Sequence, residues 1–121
     1  MYILPKLKKK MTDKMLKFVE IGQQTPPKRG VETRKEDFKE IYDEFINRKA
    51  QEQSSRCSQC GVPFCQVHCP LSNNIPDWLK LTAEGRLKEA YELSQSTNNM
   101  PEVCGRICPQ DRLCEGNCVI E

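Results

Sequence analysis

Eight cysteines, all between positions 57 and 118, constrain this 121-residue chain more than any hydrophobic pattern in it. They form two quartets. Cys57, Cys60, Cys65 and Cys69 are spaced x2, x4 and x3, and Cys104, Cys108, Cys114 and Cys118 are spaced x3, x5 and x3. Each quartet contains one Cys-Pro step, Cys69-Pro70 and Cys108-Pro109. Only 37% of the residues are hydrophobic and 30% are charged, so the apolar core available to a chain of this length is thin. Something other than oil-drop burial must help hold it together, and the thiols are the candidates.

What thiols do depends on where they work. No run approaches the roughly 18 consecutive apolar residues a membrane span needs. The first residues place Tyr2, Ile3 and Leu4 ahead of the Lys8-Lys9-Lys10 cluster, the reverse of a secretory signal. The expectation is a cytoplasmic chain with no membrane partner. In a reducing compartment clustered cysteines hold metal more often than disulfides.

Four thiolates converging from different directions are what an iron-sulfur cube requires, a tight loop supplying two or three and a distant cysteine closing the last corner. In two-cluster ferredoxins the cysteine before proline serves the other cluster. By that logic Cys57, Cys60 and Cys65 hold one cube and Cys69 crosses to the second group. Zinc is the competing metal, in a structural or interaction module, but it prefers paired C-x2-C knuckles and only Cys57 and Cys60 form one. The single histidine, His68, could be a ligand of the Rieske type. Eight thiols already suffice for two cubes, which favours a supporting or surface role.

The rest of the chain reads as helical. Met11, Met15, Phe18 and Val19 have rough helical spacing over Lys10 to Ile21, before Gly22, Pro26, Pro27 and Gly30 break the pattern. From Thr33 a stronger helix is expected to about Gln53: Thr33 and Glu36 have capping-box spacing, and Phe38, Ile41, Tyr42, Phe45 and Ile46 form one apolar face, read as packing within the chain. Asn73 or Asn74 can cap a helix with Pro76 in its first turn, Trp78, Leu79 and Leu81 as anchors and Gly85 as its stop. Leu87, Ala90, Tyr91 and Leu93 mark the next, ended by the polar run from Ser94 to Asn99, and Pro101 opens a short helical turn through Ile107. No stretch alternates as a strand does. The expected fold is all-α, a small helical domain whose irregular cysteine loops hold two iron-sulfur clusters, at 33–121, preceded by an extension and linker at 1–32. Trp78 and the helix aromatics are read as plain core.

Function follows from the clusters. Cubes bound at all four corners offer no open coordination site, so two of them form a relay for single electrons. The six glycines never form G-x-G-x-x-G or a P-loop, so no phosphate cradle is present. With one histidine and no defensible paired carboxylates, no catalytic residue is assigned. The net charge of +2 is too small to argue for nucleic acid, although residues 1–56 carry 14 basic and 9 acidic side chains and residues 57–121 carry 5 and 8.

Arg56-Cys57-Ser58-Gln59-Cys60-Gly61-Val62-Pro63-Phe64-Cys65, continuing through His68-Cys69-Pro70 and Ser72-Asn73-Asn74-Ile75-Pro76-Asp77-Trp78, closely resembles the amino-terminal domain of the glutamate synthase small (beta) subunit. Glu102-Val103-Cys104-Gly105-Arg106-Ile107-Cys108-Pro109 and Cys114-Glu115-Gly116-Asn117-Cys118 resemble that domain's second cysteine block, also found in dihydropyrimidine dehydrogenase. The resemblance covers about residues 15–121. It implies a helical domain with two 4Fe-4S clusters, followed in the full-length family by FAD- and NADPH-binding domains that this chain lacks. It also implies a partner, the large (alpha) subunit, which makes glutamate from glutamine and 2-oxoglutarate. The chain is accordingly expected to be a fragment of a longer subunit and not to oxidise NADPH by itself.

Carried over from dihydropyrimidine dehydrogenase by motif position, Cys57, Cys60, Cys65 and Cys118 would bind the first cluster, and Cys69, Cys108 and Cys114 the second. In that relative the remaining ligand is a non-cysteine side chain farther downstream, which would leave Cys104 a bystander. The alternative is that Cys104 completes the site.

Overall fold

A computed structural model describes residues 15–120. Among these residues six α-helices follow one another: α1 (Val31–Glu36), α2 (Asn47–Ser54), α3 (Phe64–His68), α4 (Ile75–Ala83), α5 (Leu87–Thr97) and α6 (Pro101–Ile107). Single 3-10 turns occur at Lys17–Val19 and Glu115–Asn117. Among the described residues there is no strand, only an isolated bridge between Lys28 and Tyr42, and the all-α expectation holds.

The centre is α4, packed between α5 and α2. Pro76 sits in its first turn, where a missing N–H costs nothing, and Gly85 turns the chain out just past its end at φ 77°. Both were expected. The asparagines before it act otherwise than expected: no side chain caps α4, and Asn73 Oδ1 instead accepts from Thr97 Oγ1 at 2.6 Å, tying α4 to the end of α5. α5 ends at Thr97, inside the polar run expected to end it, and there Ser94 and Ser96 donate back to the carbonyls of Tyr91 and Leu93. Tyr91, expected on its apolar face, points outward.

Little is buried. Among the described residues Ala83, Ala90 and Pro76 are the buried apolar side chains, and the alanine methyls contribute roughly 0.8 kcal/mol each. Ser54, Ser55, Asn73 and Asn98 are the buried polar ones.

The long helix expected from Thr33 to Gln53 is interrupted. α1 ends at Glu36, Asp37 is extended, and residues 37–46 form a loop before α2. Polar groups compete successfully for the backbone here. Asp37 Oδ1 accepts from the Lys39 amide, and Glu40 Oε1 from the amides of Ile41 and Tyr42. Arg29 forks onto Asp37 at 3.0 and 2.7 Å, and its amide donates to Ile41 O. Lys28 lies 5.8 Å from the centre of the Tyr42 ring. Phe38, Ile41, Tyr42 and Ile46 are exposed in consequence, and the apolar face read as core does not form. Nor does the capping box, since Thr33 lies inside α1.

The helix expected at Lys10 to Ile21 lies partly outside the described residues; within them it is the single turn Lys17–Val19, preceded by Leu16 at φ 68°. This segment is fastened to α2 and the first cysteine loop. Leu16 N donates to Cys57 O, Lys17 N to the fully buried Ser55, Arg56 Nε to Ile21 O, and Gln53 exchanges bonds with Gly22 O and Gln24 N.

Candidate metal centre

Each cysteine is positioned by a helix end or a turn. Cys57 and Cys60 flank a tight loop in which Gln59 has φ 52°. Cys65 is the second residue of α3, a five-residue helix not foreseen from the sequence, and Cys69 follows its last turn with its amide bonded to Gln66 O. Cys104 lies in α6 and Cys108 caps it, four residues on, so both share one helical face. Cys114 and Cys118 bracket the turn Glu115–Asn117, held by Asn117 Nδ2 on Leu113 O at 2.7 Å.

All eight thiols are free and half-buried. They line two cavities, of about 320 and 440 Å³. Cys57, Cys60, Cys65 and Cys118 line the first, Cys69, Cys104 and Cys108 the second, and Cys114 touches both. Ile75, Trp78 and Gln110 also line both, forming with Cys114 the wall between them. Trp78, read from the sequence as plain core, is therefore a partition.

Electrostatics divide the thiols in the same way. Burial pushes the Cys65 thiol up, and the neighbours that add to the effect are Cys57, Cys118 and Cys60. Burial likewise raises Cys108, helped by its hydrogen bond with Cys104 and by the proximity of Cys104, Cys114 and Cys69. Cys114 is raised by burial first, with Glu115 and Cys69 adding. Four thiolates gathered in one half-buried cavity repel one another, and a strongly positive group among them makes their ionisation tolerable. The donor set therefore fits a metal centre. Nowhere among the described residues do three His, Cys, Asp or Glu side chains converge as ligands of one metal ion would. His68 is exposed.

The sulfurs also receive hydrogen bonds that the cysteine pattern does not disclose. Gln59 donates to Cys57 Sγ from its amide at 3.4 Å and from Nε2 at 3.3 Å. Ser58 Oγ lies 2.9 Å from Cys60 Sγ, and Asn98 Nδ2 donates to Cys104 Sγ at 3.2 Å. Their only sequence signal is an amide or hydroxyl residue beside a cysteine, and Asn98 lacks even that.

A small helical domain with paired thiol cavities and sulfur-directed donors is the architecture of an iron-sulfur module. The chain belongs to the family described as dihydropyrimidine dehydrogenase domain II, 4Fe-4S cluster, whose model matches residues 34–121. It is 71% identical over 108 residues to the glutamate synthase (NADPH) small chain of Azospirillum brasilense, a match covering 89% of this chain and 22% of the relative. It is 50% identical over 110 residues to the corresponding small chain of Escherichia coli strain K12, covering 91% of this chain and 23% of the relative. The oxidoreductase AegA of the same organism is 50% identical over 96 residues, covering 78% of this chain and 15% of AegA. The chain thus spans about a fifth of the length of the small chains it matches. No helix among the described residues is long and apolar enough to cross a membrane.

Proposed function

We propose that this chain is the electron-relay part of a glutamate synthase small subunit, holding two 4Fe-4S clusters between an NADPH-reduced FAD elsewhere in the parent subunit and the large (alpha) subunit that makes glutamate. The observation that carries the reading is the division of eight free thiols between two cavities that share one wall. Cys57, Cys60, Cys65 and Cys118 hold the first cluster, and Cys69, Cys104, Cys108 and Cys114 the second. Cys104 is taken as a ligand because its thiol bonds to Cys108 and lines the second cavity.

Bound there, each cluster supplies one-electron uptake and release. The protein's part is to hold and insulate. The eight cysteines bind as thiolates, Ile75 and Trp78 keep water out of the space between the sites, and Gln59, Ser58 and Asn98 donate to sulfur. Free thiols of this kind fit a reducing, cytoplasmic compartment.

Iron and acid-labile sulfide, measured on chain purified without oxygen, test the reading. About eight of each per chain are expected, two cubes of four. Cys104→Ser is expected to retain about four, whereas an unchanged content would make Cys104 a bystander; about four in the native chain would point to a ligand from elsewhere in the parent. Stoichiometric zinc without sulfide, persisting after attempted cluster reconstitution, would replace the relay with a structural module. The match to AegA favours a second reading, the same domain serving another oxidoreductase. Electron delivery by the complete parent protein to a purified glutamate synthase large subunit separates the two.

A further inference from the structure

Resting on the two-cluster reading, we propose that the two sites are electrically unequal, the first being the easier to reduce, and that Gln59 and Ser58 are the positioning residues that make it so. Gln59 takes a left-handed backbone, φ 52°, which turns its amide and its side chain back onto one sulfur, Cys57 Sγ, at 3.4 and 3.3 Å. The same Nε2 donates to Pro76 O at 2.7 Å, so the first turn of α4 holds the amide group in place. Ser58 Oγ is 2.9 Å from Cys60 Sγ, and once that sulfur is a thiolate the hydroxyl is the donor. The Gln66 amide adds a bond at Cys65.

The second site has fewer side-chain donors. Asn98 Nδ2 reaches Cys104 Sγ at 3.2 Å, and the amides of Glu115 and of Cys114 itself bond to the Cys114 sulfur. The bond between Cys104 and Cys108 needs a thiol proton and disappears when both are ligands. Charge follows the same division: Arg56 and Glu115, of opposite sign, line the first cavity, and no charged residue lines the second.

Reduction adds one electron, and so one negative charge, to a cluster and its four thiolates, with no bond made or broken. Hydrogen bonds to sulfur stabilise that extra charge, and a cavity with fewer polar side chains and no charged one in its lining penalises it. Both effects favour reduction of the first site over the second. An electron entering the second site therefore moves downhill to the first, across the wall of Ile75 and Trp78.

The test is a reductive titration of the cluster-loaded chain with dithionite, followed by low-temperature electron paramagnetic resonance, on the native sequence and on Gln59→Met and Ser58→Ala. The native chain is expected to show two one-electron steps. Gln59→Met is expected to make the easier step about tenfold less favourable, about 59 mV for one electron, and to leave the harder step in place. Ser58→Ala keeps the tether to Pro76 and is expected to move the same step in the same direction, which a merely structural role of the loop does not do. It also decides the matter if Gln59→Met fails to hold iron. Potentials unmoved in the variants, or a shift confined to the harder step, overturn the inference while the clusters stand. A native chain that binds no iron and sulfide overturns the two-cluster reading beneath it.

Discussion

Gly116, between Cys114 and Cys118, has no room for a side chain: a Cβ there would overlap the Asp111 carbonyl oxygen and lie 2.6 Å from its carbon. Both obstacles are backbone, so nothing flexible can yield. Its amide also bonds to Gln110 O, closing the turn that carries the last two cysteines. Gly116→Ala is expected to cost about 1–3 kcal/mol or more and to displace Cys114 and Cys118 together. Thermal melting and iron content should fall in parallel, and a variant that keeps both would show that the turn has another closed form. The glycine was visible in the sequence, but only as part of a motif. What makes it necessary is the approach of Asp111, five residues away, which no spacing rule discloses. Gln59 is a similar case. Its neighbours are cysteines, yet its role comes from a left-handed backbone and from Pro76, supplied by a separate helix.

At the scale of elements, the loop 37–46 is where periodicity misled. Phe38, Ile41, Tyr42, Phe45 and Ile46 have helical spacing, but Asp37 and Glu40 give the backbone amides other partners, and Arg29 draws the segment toward residues 27–29. Arg106 then forks onto Glu40, joining the loop to α6. Ile41→Asp, which would unfold a core helix, is therefore expected to change the melting free energy by no more than about 0.5 kcal/mol, as an exposed substitution does. A large loss would restore that face to the core. The Asp37 carboxyl is held down, at about 2 against an ordinary 3.8, first by the Arg29 hydrogen bonds and then by the Lys39 amide. Because its folded pKa is depressed, the loop's contribution to stability is present in full above about pH 4 and is lost as the pH falls through about 2. Faster exchange of the Lys39 amide across that window, with Asp37→Ala exchanging fast throughout, is the expected outcome. Other elements were legible. α4 and α6 announce themselves by early prolines, and α4 by the glycine that stops it, since those residues act through their own φ angles. α3 is only five residues long, too short for any period to show.

At the scale of the whole fold, the buried apolar set among the described residues, two alanines and a proline, is too small to hold their six helices by itself. Cluster binding and folding are therefore expected to be coupled. Removing iron with a chelator under reducing conditions should lower the helical circular dichroism and broaden the melting transition, with recovery on reconstitution. A metal-free chain with undiminished helix and a sharp transition would show that packing suffices. The sequence by itself determined the class of fold, the absence of strands among the described residues and the family, because these depend on residue types and short spacings within single segments. Cysteine quartets and prolines carry that information wherever the chain goes. The grouping of the thiols was legible through the motif resemblance, with Cys104 left open; tertiary structure alone decided that Cys104 lines the second cavity, that Trp78 divides the two, and that the aromatic loop at 37–46 lies outside the core. Those outcomes depend on groups distant in sequence meeting in space, such as Glu40 with Arg106 and Gln59 with Pro76, and a linear pattern does not record such meetings.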